Sequence, residues 1–548
     1  MTLVTGSHLI AKTLKEHGVD TLFYLTGGPS FDIISGCEEL GIRTVDFRHE
    51  QAAAFAAHAY TRITGKPGVV TASSGPGTLN LLTGVYAASV DCAPMIVLGG
   101  ASAVHERGKD TFQEVDQMGI MDPLCKFSHR PTQASRFPEI VSMAYRKSIS
   151  GRPGPVYIDC GVDVLDEKVD VESVPPYSAT LTTSKPAAES HVINKVLDIL
   201  LHAKKPIIFA GGGAFFSGES EALKDLVNTL QIPFYTSPMS RGLIPEDNPF
   251  SFPAARSTAM READAVLVVG SRLNWMMSYG DRFNPSAKII QIDLDESELG
   301  HNKSLELGIV GDANTVVMQL VDEAKNRIES ANNSSNPSWV ETLKMKEKDR
   351  QEKNYSILNS DQVPIHPLRL CKEISEFLDR DAILVVDGNE ILHFARQSIP
   401  TYYPGHRLNS GVTGTMGVGL PYGLGAKIAK PDKQVLVLHG DGSMGMNAME
   451  IDTAVRHNLP VVTVVSNNEG WFARDPQWKR PGRELGFTEF DEMAKSLHGY
   501  GEKVVKPNEI KPALQRAFDS GKPAVVNVHV EPTAAGVSKA WTGSGSEQ

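Results

Sequence analysis

The residues best suited to chemistry lie at the carboxyl ends of two predicted strands. Asp441 belongs to the motif Gly440-Asp441-Gly442-Ser443, and Asn468 and Gly470 belong to the motif Asn467-Asn468-Glu469-Gly470. A carboxylate, an amide oxygen and the Gly470 carbonyl are oxygen ligands of the kind that Mg²⁺ takes when it is shared with a diphosphate. The glycines let the backbone approach the phosphates, whose charge a helix start also stabilises. The two motifs therefore predict a magnesium-anchored diphosphate site.

The segment between the motifs explains how they can meet. Residues 435–439 and 461–465 are apolar runs typical of buried strands, and residues 446–458 between them have a helical pattern. In such a unit both parallel strands end at the same edge of the sheet, where open α/β sheets bind ligands. A glycine motif followed by an Asn pair can also be a turn and a strand-end loop. In its strand, helix, strand context it resembles the signature of thiamin-diphosphate (ThDP) enzymes.

Glu50 opens a predicted alanine-rich helix that directly follows a strand at residues 44–47. A glutamate in this position could simply favour the helix dipole. The ThDP resemblance gives it a chemical role, because that cofactor needs a carboxyl bonded to pyrimidine N1′ before its 4′-nitrogen can take the proton from thiazolium C2. Burial favours the protonated or proton-sharing carboxyl that such a relay uses. We therefore expect Glu50 to be catalytic.

Two further loops of the N-terminal region are candidates. A glycine loop at residues 73–80 follows a strand, and a second loop at residues 110–117 contains Phe112 and Gln113. We expect the glycine loop to form a wall of the site, with direct phosphate binding as the alternative. Phe112 and Gln113 could reach substrate carbons near C2, and they could equally be loop packing.

A glycine-spaced loop at residues 409–419 has one large flexible side chain, Met416. The flanking glycines allow backbone carbonyls, Gly414 among them, to approach the amino group of a ligand. A lone methionine usually fills a core. Here it could instead be the wedge that bends the cofactor and brings the 4′-nitrogen onto C2.

Length and strand pattern bound the fold. A chain of 548 residues suits about three domains. Short apolar strands alternate with helices in three regions, which predicts an α/β protein of three doubly wound parallel sheets. We place the domains at residues 1–180, 187–345 and 365–548. A Pro, Ser and Thr-rich linker at residues 173–186 separates the first two, and a polar linker at residues 329–351 leads into an amphipathic helix before the third.

Charge and composition argue against several classes of protein. A net charge of −11 without a long basic run argues against nucleic acid as the main partner. Hydrophobic residues at 41% and charged residues at 22% are typical of a globular protein. No run of eighteen apolar residues exists and the start has no signal-peptide pattern, so we expect a cytoplasmic protein with no membrane partner. The five scattered cysteines are typical of reduced thiols.

The three units, with Glu50 in the first and the metal motif in the third, resemble the ThDP-dependent decarboxylase and carboligase superfamily over nearly the whole chain. The resemblance implies a pyrimidine-binding domain, a middle Rossmann-like domain and a diphosphate-binding domain. It also implies that the cofactor contacts are Gly28, Glu50, Gly75, Asn80, Glu390, Gly414, Met416, Gly440, Asp441, Gly442, Ser443, Asn468, Gly470, Trp471 and Phe472. Asp441, Asn468 and Gly470 would bind the metal.

Residues 238–245, 254–257 and 270–275 of the middle region, together with residues 406–408 and 449–453, resemble the corresponding runs of 2-hydroxyacyl-CoA lyase and oxalyl-CoA decarboxylase. Arg241 and Arg272 lie just beyond strand ends, where arginines suit phosphate, although solvated surface arginines are the alternative. In both families an arginine ahead of the glycine-spaced loop contacts coenzyme A phosphates, and Arg396 occupies that place. Arg152, Arg272 and Asp293 match residues with which the decarboxylase holds ADP.

Two departures from these families remove tyrosine hydroxyls. Their loss makes oxalyl-CoA a poor candidate substrate and favours the lyase. Both families carry Gly-Ile-Tyr where this chain has Gly470-Trp471-Phe472, and the decarboxylase's active-site tyrosine is Phe112 here. We therefore expect a lyase that cleaves a 2-hydroxyacyl-CoA to formyl-CoA and an aldehyde or ketone, or joins them in reverse. Glu50 of one subunit would serve ThDP held by another, in a homodimer or homotetramer.

Other activities fit parts of the pattern. Residues 110–114 and 414–417 resemble the corresponding motifs of acetohydroxyacid synthases, and Arg48-His49-Glu50 resembles a motif of benzaldehyde lyase. A carboligase acting on pyruvate or free aldehydes is therefore an alternative. Oxalyl-CoA decarboxylase and a catalytically silent binding protein are further alternatives. The tail at residues 534–548, with Lys539 and Trp541, could close as a lid or be a disordered end.

Overall fold

The computed structural model describes residues 2–175, 177, 184–218, 221–331, 337–475, 477, 479 and 481–536. Lys539 and Trp541 of the expected lid, and parts of both expected linkers, lie outside the described residues. Among the described residues, no helix has both the length and the apolar character that crossing a membrane requires. All five cysteines are free, as expected, and three of them are buried.

The first domain consists of strands β1 Leu3–Thr5, β2 Thr21–Tyr24, β3 Arg43–Asp46, β4 Gly68–Ala72, β5 Met95–Ala101, β6 Ser128–His129, β7 Pro155–Gly161 and β8 Lys168–Asp170. Its helices are α1 Gly6–Glu16, α2 Phe31–Glu39, α3 Glu50–Thr64, α4 Pro76–Asn80, α5 Leu82–Val90, α6 Gln117–Met121, α7 Phe137–Ile149 and α8 Val162–Asp166. Six strands form a parallel sheet in the order β3-β2-β4-β5-β7-β6, while β1 and β8 pair separately and antiparallel.

The middle domain has the strands β9 Pro206–Ala210, β10 Phe234–Thr236, β11 Ala265–Val269, β12 Lys288–Asp293 and β13 Leu307–Val310. Its helices are α9 Ser190–His202, α10 Gly212–Phe216, α11 Glu221–Leu230, α12 Arg256–Glu262, α13 Ala313–Ala331 and α14 Pro337–Leu358. The sheet is parallel, in the order β10-β9-β11-β12-β13. Helix α14 buries Trp339 and Leu343 in this domain, so much of the segment expected as a polar linker is helical.

The third domain has the strands β14 Ile383–Asp387, β15 Arg407–Leu408, β16 Val435–Gly440, β17 Val462–Asn467, β18 Tyr500–Val504 and β19 Ala524–His529. Its helices are α15 Pro367–Phe377, α16 Glu390–Ser398, α17 Gly419–Ala429, α18 Asp441–Asn447, α19 Glu450–Arg456, α20 Phe490–Ser496 and α21 Ile510–Asp519. The sheet is again parallel, in the order β15-β14-β16-β17-β19-β18. The prediction of three parallel α/β sheets is confirmed.

The crossover between β16 and β17 differs in detail from the expectation. The helix predicted at residues 446–458 is two short helices, and the first of them begins at Asp441, inside the motif itself. Three glycines in residues 440–445 lower the helix propensity there, so the sequence pattern does not reveal this first turn. The consequence is that the Asp441 carboxylate lies at a helix start.

Helices α3 and α17 bring the first and third domains together. Every residue from Ala52 to Ala59 is fully buried, and Leu420, Tyr422 and Leu424 of α17 belong to the same apolar cluster. Alanine and glycine allow the close approach, since a Cβ added at Gly425 would lie 2.3 Å from the Ala56 carbonyl oxygen. The two domains therefore share one core.

Candidate active site

Asp441, Asn468 and Gly470 meet at the carboxyl ends of neighbouring strands. Strands β16 and β17 pair in parallel, with Gly440 opposite Ser466, so the residues that follow each strand converge. With its amide oxygen facing inwards, Asn468 places Oδ1 2.9 Å from Asp441 Oδ1 and 2.8 Å from the Gly470 carbonyl oxygen. The opposite amide orientation would donate a hydrogen bond to each of those oxygens.

The spacing of these oxygens matches a small cation. Adjacent ligands of octahedral Mg²⁺, at about 2.1 Å from the ion, are about 3 Å apart. The second carboxylate oxygen of Asp441 is buried and has no hydrogen-bond partner among the described residues. A carboxylate oxygen without a donor is costly to bury unless a cation compensates it. The donor set therefore fits magnesium.

Burial raises the pKa of Asp441 to about 6, against the opposing effect of the Gly470 and Gly442 backbone N–H groups. The carboxyl is 3% exposed. A metal ligand must be ionised, so proton release and metal binding are coupled at this residue.

The loop after Asn468 is held in place by Arg483, which the sequence analysis did not single out. Its guanidinium donates to the carbonyl oxygens of Phe472 at 2.8 Å, Glu469 at 3.3 Å and Asn468 at 3.4 Å. A Cβ added at Gly470 would lie 2.6 Å from Arg483 Cζ. Arg483 therefore fixes the backbone that presents the Gly470 carbonyl.

Gly442 is required by Trp471. A Cβ added at Gly442 would lie 2.5 Å from Cε3 of the indole ring. The ring thus packs directly on the first turn of α18. Ser443 donates its hydroxyl to the carbonyl oxygens of Asp387 at 3.1 Å and Gly440 at 3.0 Å.

Glu390 joins the third domain's loops to its last described residues. One carboxylate oxygen accepts from the Ala473 N–H at 3.4 Å, and the other accepts from the Gly536 N–H at 2.6 Å. Glu390 lines a small cavity beside Asp441. Its expected cofactor contact stays a prediction.

The Met416 loop is held by Asp387 and Asn447. Gly414 and Gly417 adopt positive φ angles of 63° and 84°, which favour glycine. Asp387 Oδ2 accepts from the Gly419 N–H at 2.8 Å, and Asn447 Nδ2 donates to the Gly417 carbonyl at 2.7 Å. Burial raises the pKa of Asp387 to about 7.

Glu50 begins α3 and is 7% exposed. Its Oε2 accepts a hydrogen bond from Asn80 Nδ2 at 3.0 Å, so two residues predicted separately are brought together. Gly28 begins a short turn beyond β2, whose neighbour β4 leads into the glycine loop at Gly75. These residues form a second cluster at one edge of the first sheet.

The loop at residues 110–117 packs on the glycine loop. Gln113 accepts from the Ser74 hydroxyl at 2.9 Å, and Gln117 accepts from the Gly75 N–H at 2.5 Å. Phe112 is 83% exposed and is therefore not part of the core packing. The structure supports a wall function for the glycine loop, and the catalytic roles of Phe112 and Gln113 stay predictions.

Two cavities lie near the residues of the third-domain cluster, and neither is lined by the Glu50 cluster. The small cavity beside Asp441 is lined by Met416, Gly442, Ser443, Asn468 and other residues of the third domain, and by none of the first. Glu50 lines neither this cavity nor the larger one described next.

A cavity of about 1460 Å³ extends from the Met416 loop between the domains. Its lining includes all five residues expected to bind coenzyme A or ADP, and it reaches four expected cofactor contacts. The former are Arg152, Arg241, Arg272, Asp293 and Arg396, and the latter are Gly414, Met416, Trp471 and Phe472. The lining is rich in arginine, namely Arg146, Arg152, Arg241, Arg256, Arg272, Arg282, Arg350, Arg396 and Arg407.

Several of these arginines already have partners. Arg241 forms a bidentate pair with Glu246 at 2.6 and 2.5 Å. Arg152 contacts Glu298 at 2.6 Å and Asp295 at 3.2 Å. Arg272 donates to the Val90 carbonyl.

Arg407 and Arg396 form no ion pair with a carboxylate among the described residues, and Arg396 contacts His393 Nδ1 at 3.5 Å. All three guanidinium nitrogens of Arg407 are buried with no hydrogen-bond partner among the described residues, and burial together with Arg241 lowers its pKa to about 9. Burial, Arg241 and Arg282 likewise lower the pKa of Arg396. This end of the cavity therefore holds more positive charge than its carboxylates balance.

Comparison with known proteins identifies the family. Family models match residues 4–120 as a thiamine pyrophosphate enzyme N-terminal TPP binding domain, residues 193–320 as its central domain and residues 390–528 as its C-terminal TPP binding domain. The chain belongs to the thiamine pyrophosphate enzyme family. The expectation of a ThDP-dependent enzyme that makes or breaks carbon–carbon bonds is thereby confirmed.

Relatives of this ThDP enzyme have different activities at similar identity. It is 34% identical to the acetolactate synthase large subunit IlvG of Mycobacterium tuberculosis, over 97% of this chain and 96% of that protein. It is 35% identical to 2-hydroxyacyl-CoA lyase of Arabidopsis thaliana and 31% identical to oxalyl-CoA decarboxylase of Escherichia coli, with the same coverage in both cases. Identity alone does not separate these activities.

Proposed function

We propose that this ThDP enzyme is a 2-hydroxyacyl-CoA lyase, which cleaves a 2-hydroxyacyl-CoA to formyl-CoA and an aldehyde or ketone and catalyses the reverse ligation. The observation that carries the proposal is the arginine-lined cavity of about 1460 Å³ that reaches Met416 and Trp471. Small-molecule pockets usually measure about 300–1,000 Å³. A larger and basic cavity suits a substrate with a long, phosphate-bearing carrier better than it suits pyruvate or a free aldehyde.

We assign Arg396 to the coenzyme A phosphates. Arg241 adds positive charge near it. Arg407 adds a buried positive charge that an anion in the cavity would balance. Phosphate and guanidinium form strong, directional hydrogen bonds. ADP at Arg152, Arg272 and Asp293 gains no support from the comparisons, and a phosphate at Arg152 would compete with two carboxylates.

Asp441, Asn468 and Gly470 would hold Mg²⁺ and, through it, the diphosphate of ThDP. When bound, ThDP supplies the electron sink for the carbon–carbon bond that breaks. Glu50 shares a proton with pyrimidine N1′, and Asn80 orients that carboxyl. Met416 orients the cofactor, and Trp471 and Phe472 give the acyl pocket an apolar wall that excludes water.

We assign Glu50 to a cofactor held by the third domain of a second subunit, in a homodimer or homotetramer. The support is that the Asp441 cavity is lined by third-domain residues alone and that Glu50 lines neither this cavity nor the arginine-lined one. A symmetric dimer would bring the two clusters together twice.

A substrate panel tests the activity. The purified protein would be incubated with Mg²⁺ and 2-hydroxyacyl-CoAs of several chain lengths, oxalyl-CoA, pyruvate or free aldehydes, with and without ThDP, and the products identified by mass spectrometry. We expect ThDP-dependent formyl-CoA together with an aldehyde or ketone. Release of CO₂ from oxalyl-CoA, or acetolactate from pyruvate without activity on the acyl-CoAs, would contradict the proposal.

An arginine variant tests the carrier site. Arg396→Ala is expected to raise KM for the acyl-CoA by about tenfold or more, which corresponds to one charge-assisted hydrogen bond. Arg380→Ala is the matched control, because Arg380 is exposed and pairs with Asp247 away from the cavity. An enzyme for free aldehydes would respond to neither change.

A further inference from the structure

Glu450 is a buried carboxyl that the mechanism above does not use. It lies on α19 in the third domain and is 1% exposed. Its Oε2 accepts from the backbone N–H of Arg48, across the domain boundary, at 3.2 Å and from the Thr453 hydroxyl at 2.5 Å. Burial raises the pKa of this carboxyl to about 7, and the Thr453 hydroxyl and the Arg48 and His49 N–H groups oppose that rise.

The charged side chains around Glu450 pair with other residues, so its carboxyl remains available to a backbone N–H. The Arg48 guanidinium pairs instead with Asp452 at 2.6 Å. Asp46, at the end of β3, pairs with Arg456 at 2.5 Å and His457 at 2.7 Å. Helix α19 thus binds the end of β3 through ion pairs and the turn after β3 through Glu450.

That turn determines where Glu50 points. His49 caps α3, with its Nδ1 accepting from the Gln51 N–H at 3.0 Å, and Glu50 is the first helical residue. Strand β3 is at the edge of its sheet and ends at Asp46, so the sheet offers the Arg48 N–H no partner in its ladder. The carboxylate of Glu450 supplies this partner two residues before the catalytic carboxyl.

We propose that Glu450 is a positioning residue for Glu50: by holding the Arg48–His49 backbone it sets the Glu50 carboxyl at the distance needed for proton sharing with the cofactor. The inference rests on the proposed role of Glu50. Misplacement of a catalytic group by about 1 Å can cost about a hundredfold in rate. Glu450 therefore acts on cofactor activation and not on cofactor binding.

The test uses the holoenzyme without any acyl substrate. The exchange of the thiazolium C2 proton of bound ThDP for deuterium would be followed by quenched-flow NMR, and ThDP affinity in the presence of Mg²⁺ would be measured by calorimetry. Glu450→Gln, whose amide oxygen can accept from the same Arg48 N–H but without a charge, is expected to slow the exchange by about fivefold while the ThDP Kd stays within about twofold. Glu450→Ala should slow it further, and Thr453→Val, which removes the hydroxyl that orients Glu450, should slow it less.

Asp452→Asn is the matched control, because it removes the ion pairs of Asp452 with Arg456 and with the partly exposed Arg48 side chain and leaves the Arg48 N–H bound to Glu450. It should leave exchange within about twofold of the native rate, as the loss of a surface ion pair would. If the Glu450 variants do not fold, the exchange rate of Thr453→Val tests the positioning role. Native exchange in the Glu450 or Thr453 variants, or exchange and affinity that fall together, would overturn the inference. Native exchange in Glu50→Gln would instead overturn the proposed role of Glu50.

Discussion

A pair of inactive variants would decide whether Glu50 serves its own chain or a partner. Glu50→Gln removes the proton-sharing carboxyl, and Asp441→Asn removes the charged metal ligand. General acid–base groups contribute about 10²–10⁴-fold, so each homodimer should have about 1% of native activity or less. The two variants would be co-expressed with different tags, and the heterodimer would be isolated by two successive affinity steps.

The expected activity follows from the cavity lining. If each active site combines Glu50 of one subunit with Asp441 of the other, the heterodimer contains one site with both defects and one site with neither. It should therefore have about half the native activity per dimer, a rise of at least about tenfold over either parent. If both residues act within one chain, each site keeps one defect and the heterodimer stays inactive.

The native chain paired with the Glu50→Gln, Asp441→Asn double variant is the reciprocal control. When the sites combine residues of two subunits, both sites of that heterodimer are defective and it should be inactive. When they do not, it should retain about half the native activity. The activity of the acyl-CoA panel, or C2 exchange if the substrate is different, can serve as the assay. An inactive first heterodimer together with a half-active second one would refute the assignment across subunits.

Three further predictions concern cofactor affinity. Gly442→Ala should raise the ThDP Kd in calorimetry by about five- to a hundredfold, the effect of about 1–3 kcal/mol of overpacking against Trp471; Gly445→Ala, whose added Cβ would lie no closer than 4.0 Å to another residue, should leave it unchanged. Burial raises the pKa of Asp441 to about 6, so protons compete with Mg²⁺ for this carboxylate at low pH. The Mg²⁺-dependent ThDP affinity should increase by about tenfold per pH unit up to about pH 6 and level off above about pH 7. An affinity that is constant from pH 5 to 8 would contradict this. Arg483→Ala removes the hydrogen bonds that fix the Gly470 loop, so the ThDP Kd should rise by about tenfold or more, with partial recovery in Arg483→Lys. A native Kd in Arg483→Ala would show that the loop keeps its conformation without Arg483.

The sequence reveals the sheet and the metal motif for the same physical reason. Buried parallel strands are continuous apolar runs, so β16 and β17 were predictable, and the topology of a strand, helix, strand unit then brings Asp441 and Asn468 together. Nothing comparable identifies Arg483, and no sequence pattern reveals the backbone contact that Glu450 makes. Arg483 binds backbone carbonyls, and Glu450 binds a backbone N–H more than four hundred positions earlier in the chain. Contacts to backbone leave no residue-type signal at the partner position.

The fate of Phe112 and of the Asp441 helix shows the same limit at short range. Phe112 reads as an apolar residue, yet it is exposed. Helix α18 begins at Asp441 although its glycines disfavour helix, because the strand before it and Trp471 above it fix the backbone. Tertiary contacts decided where α18 begins, and helix propensity did not.

The common core of α3 and α17 restricts how this enzyme can open. Domains that move apart as rigid bodies do so over small, polar interfaces with a few hinge residues. The contact between α3 and α17 is buried and mostly apolar, with Tyr422 and His58 hydrogen-bonded within it, and Gly425 lies directly against the Ala56 carbonyl. We therefore expect cofactor and substrate to enter and leave past surface loops, such as the one carrying Phe112, while the scaffold beneath them stays closed.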